Sequence, residues 1–201
     1  MTPLEQAITA KEIVKSRMPL THSDNKKIRQ DYSTLTPQQR QQNTLNIKAT
    51  LDSMRTHQRF PGPGKATAKN VIFYGAFAIA AGYGNCLEMS CAAAWALNEE
   101  GRFNYDLVYY PGLGDHIFVA VAQRSDNAGN FPTNFTGWDA NAAICDVWAD
   151  IACPAQEYAK RWRDRMGNWR VMGITIANLL PTHPTWYDVV DQPKKSYLIP
   201  G

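Results

Sequence analysis

Charge, cysteine and long apolar runs are all scarce in this chain. Charged side chains make up only 19% of its 201 residues, too few for a coiled coil built on charged faces. The longest apolar stretch, from Val71 to Tyr83, is too short to span a bilayer. The opening MTPLEQAITAKEIVKS has no basic cluster followed by an apolar region, so no Sec-type signal peptide is expected. Cysteine occurs four times, at positions 86, 91, 145 and 153. None of the four forms a CxxC pair or has a histidine at zinc-ligand spacing, which argues against a metal site. Four cysteines are also too few for a disulfide framework at this length, so they read as reduced thiols. Aromatic residues are nearly missing from the first 70 positions, where only Tyr32 and Phe60 occur. With no known binding motif there either, nucleic acid is not expected as a partner.

Hydrophobic residues amount to 44%, enough to fill a core and to exclude a mainly disordered chain. The net charge of +3 conceals an asymmetry. Residues 1–70 hold 12 Lys/Arg against 5 Asp/Glu, and residues 71–201 hold 9 against 13. A basic arm therefore precedes a mildly acidic body. The arm reads either as a solvated helical surface or as a docking surface for an acidic partner, a secretion chaperone or anionic lipid. Phe60-Pro61-Gly62-Pro63-Gly64 is the strongest breaker in the chain. It sets a boundary between a helical arm at 1–64 and a second domain at 65–201.

Within the arm, residues 4–18 predict a helix and 20–34 a polar connector. Thr36, Pro37 and Gln39 have the pattern of a helix start, and that helix should run to about residue 58. The body opens with an apolar helix over 66–81. A second helix over 86–100 has Asn85 as N-cap, Glu88 as capping-box carboxylate and Gly101 as its stop. It is apolar almost all round and should be central and buried. Strand signals follow at 105–110, 116–122 and 142–147. The loop between the last two, 123–139, is long enough to suggest a substrate-gating flap. Residues 154–166 predict an amphipathic helix ended by Gly167, and 170–176 a strand. The tail, with prolines at 181, 184, 193 and 200, reads as irregular. The fold class is α+β.

The chemistry-bearing residues are a cysteine at a helix start, then a histidine, then an aspartate, on successive elements. Cys86 stands in the first turn of the buried helix. The unpaired N–H groups and the helix dipole there favour a thiolate, so its pKa is expected below the ordinary value of about 8.5. The same backbone N–H groups suit an oxyanion, and the Asn85 side chain is a candidate second donor. His116 opens a strong strand, whereas His22 and His57 lie in the polar arm and His183 among prolines. For the acid, an antiparallel pairing with Ala122 opposite Ala140 gives facing residues a constant sum of 262. Asp146 then faces His116. Asp139 falls near the far end, roughly 20 Å away at ~3.4 Å per residue, and is the fallback. Glu88 reads as a cap rather than as a second acid. Trp138 and Trp148 read either as core or as walls of a substrate groove.

Three segments, Gly84-Asn85-Cys86-Leu87-Glu88-Met89-Ser90, Gly114-Asp115-His116-Ile117-Phe118-Val119 and Cys145-Asp146-Val147-Trp148-Ala149-Asp150, together resemble the papain-like and transglutaminase-like cysteine enzymes. More narrowly they are similar to bacterial secreted effectors of that group, which carry a Gly-Asn-Cys-x-Glu turn, an Asp-His-x-x-Val strand and an Asp-Pro-Trp turn. Leu87 and Val147 depart from that pattern. The resemblance covers about residues 70–155. It implies a papain-like core with a central helix packed on an antiparallel sheet, and Cys86 as nucleophile, His116 as general base and Asp146 as orienting acid, with no metal or cofactor. It further implies a protein substrate in a target cell, reached by export from the bacterial cytoplasm. The reaction would be protease, deamidase or transglutaminase chemistry through a thioester. The rival reading is a catalytically silent module of the same fold.

Overall fold

Two glycines let the helices come close enough to hold the centre of the molecule together. In a computed structural model describing residues 1–18, 26–28, 36–57, 60–102, 104–112 and 115–199, helix α3 (Ala68–Ala81) crosses α4 (Cys86–Glu99) at Gly75. A Cβ at Gly75 would lie 2.1 Å from the Cys91 carbonyl oxygen, so only glycine allows this approach. A Cβ at Gly84 would lie 2.6 Å from Glu88 Cβ and 2.7 Å from the Met18 methyl group. Gly84 thus lets the chain enter α4 directly beneath the end of α1 (Pro3–Arg17).

The helix starts follow local chemistry. Thr2 and Glu5 form a capping box at α1, and Thr67 and Asn70 form one at α3. Helix α2 (Pro37–His57) opens with Thr36 and Gln39 bonded reciprocally, at 2.9 and 3.2 Å. The connector expected over 20–34 lies outside the described residues except for strand β1 (Lys26–Ile28).

The main sheet has six antiparallel strands: β2 (Tyr105–Tyr109), β3 (Ile117–Val121), β4 (Asn130–Phe131), β5 (Ala143–Asp146), β6 (Ile151–Pro154) and β8 (Lys194–Ser196). Their order is β4-β8-β2-β3-β5-β6. A separate pair joins β1 to β7 (Ile174–Ile176). Helix α5 (Tyr158–Val171) and the short α6 (Pro184–Tyr187) follow the sheet's last hairpin. The architecture is α+β with an antiparallel sheet.

The structure corrects four local expectations. The tail is not irregular, because β8 returns to pair with β2 and β4. Lys194 pins it there, with Nζ donating to the carbonyls of Thr133, Val190 and Gln192 at 2.6, 2.8 and 3.0 Å. Helix α5 does not stop at Gly167. Buried Trp162, Met166 and Trp169 hold one face past it, and the left-handed residue is Gly173 instead, at φ 69°. Residues 170–171 are therefore helical, and the strand is shorter than expected. The segment 123–139 is no free flap, since Phe131, Phe135 and Trp138 are buried and the two phenylalanine rings pack against Trp138.

Ala7, Ala10, Val14 and Met18 at α1 are buried in the same cluster as the sheet residues. Among the described residues, no helix is long and apolar enough to cross a membrane.

Candidate functional site

The hairpin register decides which acid meets the histidine. Val119 pairs with Cys145, Ala120 with Ile144 and Val121 with Ala143. Each pair sums to 264 rather than the expected 262, so Asp146 stands opposite Phe118 in the ladder. The slip is two residues, which preserves the alternation of faces. Asp146 thus remains on the face of His116, at the diagonal position from which a side chain still reaches across. His116 Nε2 and Asp146 Oδ2 are 2.8 Å apart. The fallback Asp139 is exposed at the other end of β5, where its carboxylate accepts from the Asn141 N–H at 2.8 Å. It caps a turn there.

Asp146 is fully buried and accepts from three sides. Oδ1 takes the Ala149 N–H at 3.0 Å, while Oδ2 takes the Tyr158 hydroxyl at 2.6 Å in addition to the imidazole. Burial, followed by the Asp146 charge, pushes the Tyr158 hydroxyl well above its ordinary pKa. The turn after Asp146 ends at Asp150 with a left-handed φ of 57°. Lys11 and Lys15 of α1 hold the Asp150 carboxylate at 3.1 and 2.8 Å, and Arg165 donates to its carbonyl at 2.9 Å. Burial raises the Asp150 carboxyl, but the two lysines outweigh it and keep it below the usual range. Part of the basic arm therefore braces the turn that carries the acid.

The His116 side chain is wholly shielded from solvent. It lies between Trp162 and Trp148, at centroid distances of 4.7 and 5.1 Å, with Tyr110 stacked beyond at 6.4 Å. Trp148 is thus core around the histidine, and buried Trp138 packs against Phe118 farther along the strand. The His116 Nδ1 atom is buried without a hydrogen-bond partner.

Cys86 opens α4 behind Asn85, whose extended backbone donates its N–H to Glu88 Oε2 at 2.9 Å. The sulfur rests against the peptide carbonyl that precedes His116, with Sγ 3.7 Å from the Asp115 oxygen. Ser90, one turn on, donates to the Ile117 carbonyl at 3.0 Å and fixes α4 against β3. The structure thus brings His116 and Asp146 into contact and sets Cys86 beside the His116 backbone. Among the described residues, no hydrogen bond links the Cys86 sulfur to the imidazole. The thiol is not depressed as expected. Burial, followed by the charges of Asp115 and Glu88, pushes it up to about 12. The helix terminus offers only about half a charge, which does not offset removal of the thiolate from water. Cys91 and Cys145 are raised as well, and Cys153 to about 12, also mainly by burial.

Glu88 does more than cap. Its carboxylate is fully buried and pairs with Arg55 of α2 at 2.9 and 3.1 Å, and the Tyr74 hydroxyl donates to it at 3.1 Å. Sequence reading missed both Arg55 and Tyr158. Neither belongs to a motif, and each reaches its partner only through tertiary packing. A cavity of about 700 Å³ lies between α2 and α3, lined in part by Met54, Phe77 and Ala81, and includes none of these site residues. No group of three His, Cys, Asp or Glu among the described residues is placed to hold a metal ion. Comparison with known protein families, curated proteins and solved structures finds no match.

Proposed function

We propose that this chain is a thiol-dependent acyl-transfer enzyme that cleaves an amide, with Cys86 as nucleophile, His116 as general base and Asp146 as orienting acid. The observation that carries the reading is the buried Asp146–His116 pair beside the first turn of α4. The histidine's Nε2 is occupied by the acid, and its Nδ1 has no partner. A base whose second nitrogen is already held by a carboxylate has one nitrogen left for the reaction.

In the proposed cycle Cys86 Sγ leaves the Asp115 carbonyl and gives its proton to His116 Nδ1. The sulfur attacks the amide carbonyl, and the oxyanion meets the Cys86 N–H with the Asn85 side chain as second donor. His116 returns the proton to the leaving amine, and a thioester remains. Water, relieved of a proton by Nδ1, attacks the thioester to give the carboxylic acid and the free thiol. An acceptor amine in place of water gives transglutamination. The amide is a peptide bond or a glutamine side chain of a protein in a target cell, and the chain acts there as a bacterial effector. Before export, an acidic partner or secretion chaperone covers the basic arm.

A second reading is favoured by one observation: among the described residues the buried Cys86 sulfur bonds the Asp115 carbonyl and not the imidazole, and burial pushes its thiol up. On that reading the chain is a silent module of papain-like form. Proteomics of target-cell lysate treated with wild type or Cys86→Ala separates the two. New N-termini specific to wild type mark a protease, and Gln-to-Glu mass shifts with ammonia release mark a deamidase. Identical lysates reject the enzyme reading.

A further inference from the structure

We propose that Tyr158 is a positioning residue of this site. Its hydroxyl shares Asp146 Oδ2 with His116, and so fixes the imidazole with its proton on Nε2 and its lone pair on Nδ1. The consequence for catalysis rests on the reading of His116 as general base, whereas the tautomer assignment does not.

The geometry follows from counting protons. The Tyr158 oxygen lies 2.6 Å from Asp146 Oδ2 and 3.5 Å from His116 Nε2. Only the first is a normal O–H···O distance, so the single hydroxyl proton goes to the carboxylate. Nε2 is 2.8 Å from the same oxygen. Were Nε2 unprotonated, two acceptors would face each other with no proton between them. Nε2 therefore carries the imidazole proton, and Nδ1, buried and unpartnered, keeps the lone pair. The carboxylate has no freedom to turn away, because the Ala149 N–H holds Oδ1 at 3.0 Å.

Tyr158 is itself held firmly. Its ring packs on Phe118 at 5.0 Å and Phe135 at 5.1 Å, with Trp162 at 6.1 Å. By drawing charge from Oδ2, the hydroxyl limits how strongly Asp146 stabilises an imidazolium.

Ring-nitrogen NMR of the full chain tests this without any substrate. The four histidines are few enough for His116 to be assigned by its loss in His116→Gln. Wild type should show the Nε2–H tautomer of His116 at neutral pH. In Tyr158→Phe, which keeps the ring, the His116 Nε2–H proton resonance should move downfield, because Asp146 Oδ2 is left to the imidazole alone, with His183 unchanged. Placing 3-fluorotyrosine at position 158 strengthens the donor and keeps the packing, and should move that resonance upfield. That arm decides the matter if the phenylalanine variant does not fold. An Nδ1–H tautomer in wild type overturns the proposal, as does a His116 Nε2–H resonance that neither change moves. Loss of the enzyme reading registers elsewhere: turnover unaffected by Cys86→Ala would end that reading and leave the tautomer result standing.

Discussion

Asp146 and Asp139 lie seven positions apart in one hairpin, and only one of them touches the imidazole. An orienting carboxylate sets the tautomer and stabilises the imidazolium, so on the proposed mechanism Asp146→Asn should lower turnover by ~10-fold or more. The same change costs stability, because a buried oxygen that accepts from Tyr158 and His116 becomes partly a donor. Unfolding free energy should fall by about 1–3 kcal/mol. Asp139 sits in an exposed turn, and Asp139→Asn should alter turnover by less than ~3-fold and stability by less than about 0.5 kcal/mol. Steady-state rates on the substrate found by the lysate comparison, with denaturant melts of both variants, check the pair. A dead Asp139 variant beside an active Asp146 variant would require the triad to be redrawn.

Helix α2 is tied to α4 by an ion pair at the start of the helix that bears Cys86. The Glu88 side chain is fully buried, whereas that of Arg55 is 42% exposed. The pair is thus asymmetric: loss of the arginine leaves a buried carboxylate with Tyr74 and the Asn85 N–H as its donors among the described residues. Breaking a buried pair by removing one partner costs about 3–5 kcal/mol, and solvent at the Arg55 end reduces that to about 1–3 kcal/mol. Arg55→Ala should therefore destabilise by that amount, and Arg55→Ala combined with Glu88→Gln should recover part of the loss. A double-mutant cycle by urea denaturation measures it. If Arg55→Ala melts like wild type, α2 is not docked through this pair. The Glu88 charge also faces Cys86 and helps to raise its thiol. Arg55→Ala should accordingly slow Cys86 alkylation at a given alkaline pH.

For the whole molecule, the chief pH effect is alkaline. Cys86 and Cys153 are raised to about 12 and the other two thiols are raised as well, as are the Tyr105 and Tyr197 hydroxyls to about 12, in each case chiefly by burial. Above pH ~9 the unfolded chain begins to release protons that the folded chain retains, so stability falls as pH rises. The contribution is fully present below pH ~9 and is lost progressively towards about 12. Lys194 works in the opposite sense. Burial lowers it to about 8, so its contribution to stability grows as pH rises from there to about 10.5. One lysine is outweighed by four thiols and the buried phenols. The midpoint of thermal unfolding should accordingly decline steadily between about pH 9 and 11 in reducing buffer. A flat or rising profile would contradict the burial of these thiols.

What the sequence determined by itself is local. Capping at Thr36, Thr67 and Asn85 depends on side chains within three residues of the backbone they bond, and short, largely apolar runs marked β2, β3 and β5. Because strand faces alternate with a period of two, a register wrong by two residues still put Asp146 on the His116 face. Tertiary structure alone decided the rest. β8 pairs with strands 63 to 88 residues earlier in the chain, and no local pattern specifies such a partner. The basic residues read as a solvated or docking face include Lys11, Lys15 and Arg55, whose partners Asp150 and Glu88 lie 135 to 139 and 33 residues away in sequence. The thiol's direction of shift was misjudged for the same reason. A helix start is visible in sequence and favours the thiolate, but the depth of burial that reverses this effect exists only once α4 is packed against β3.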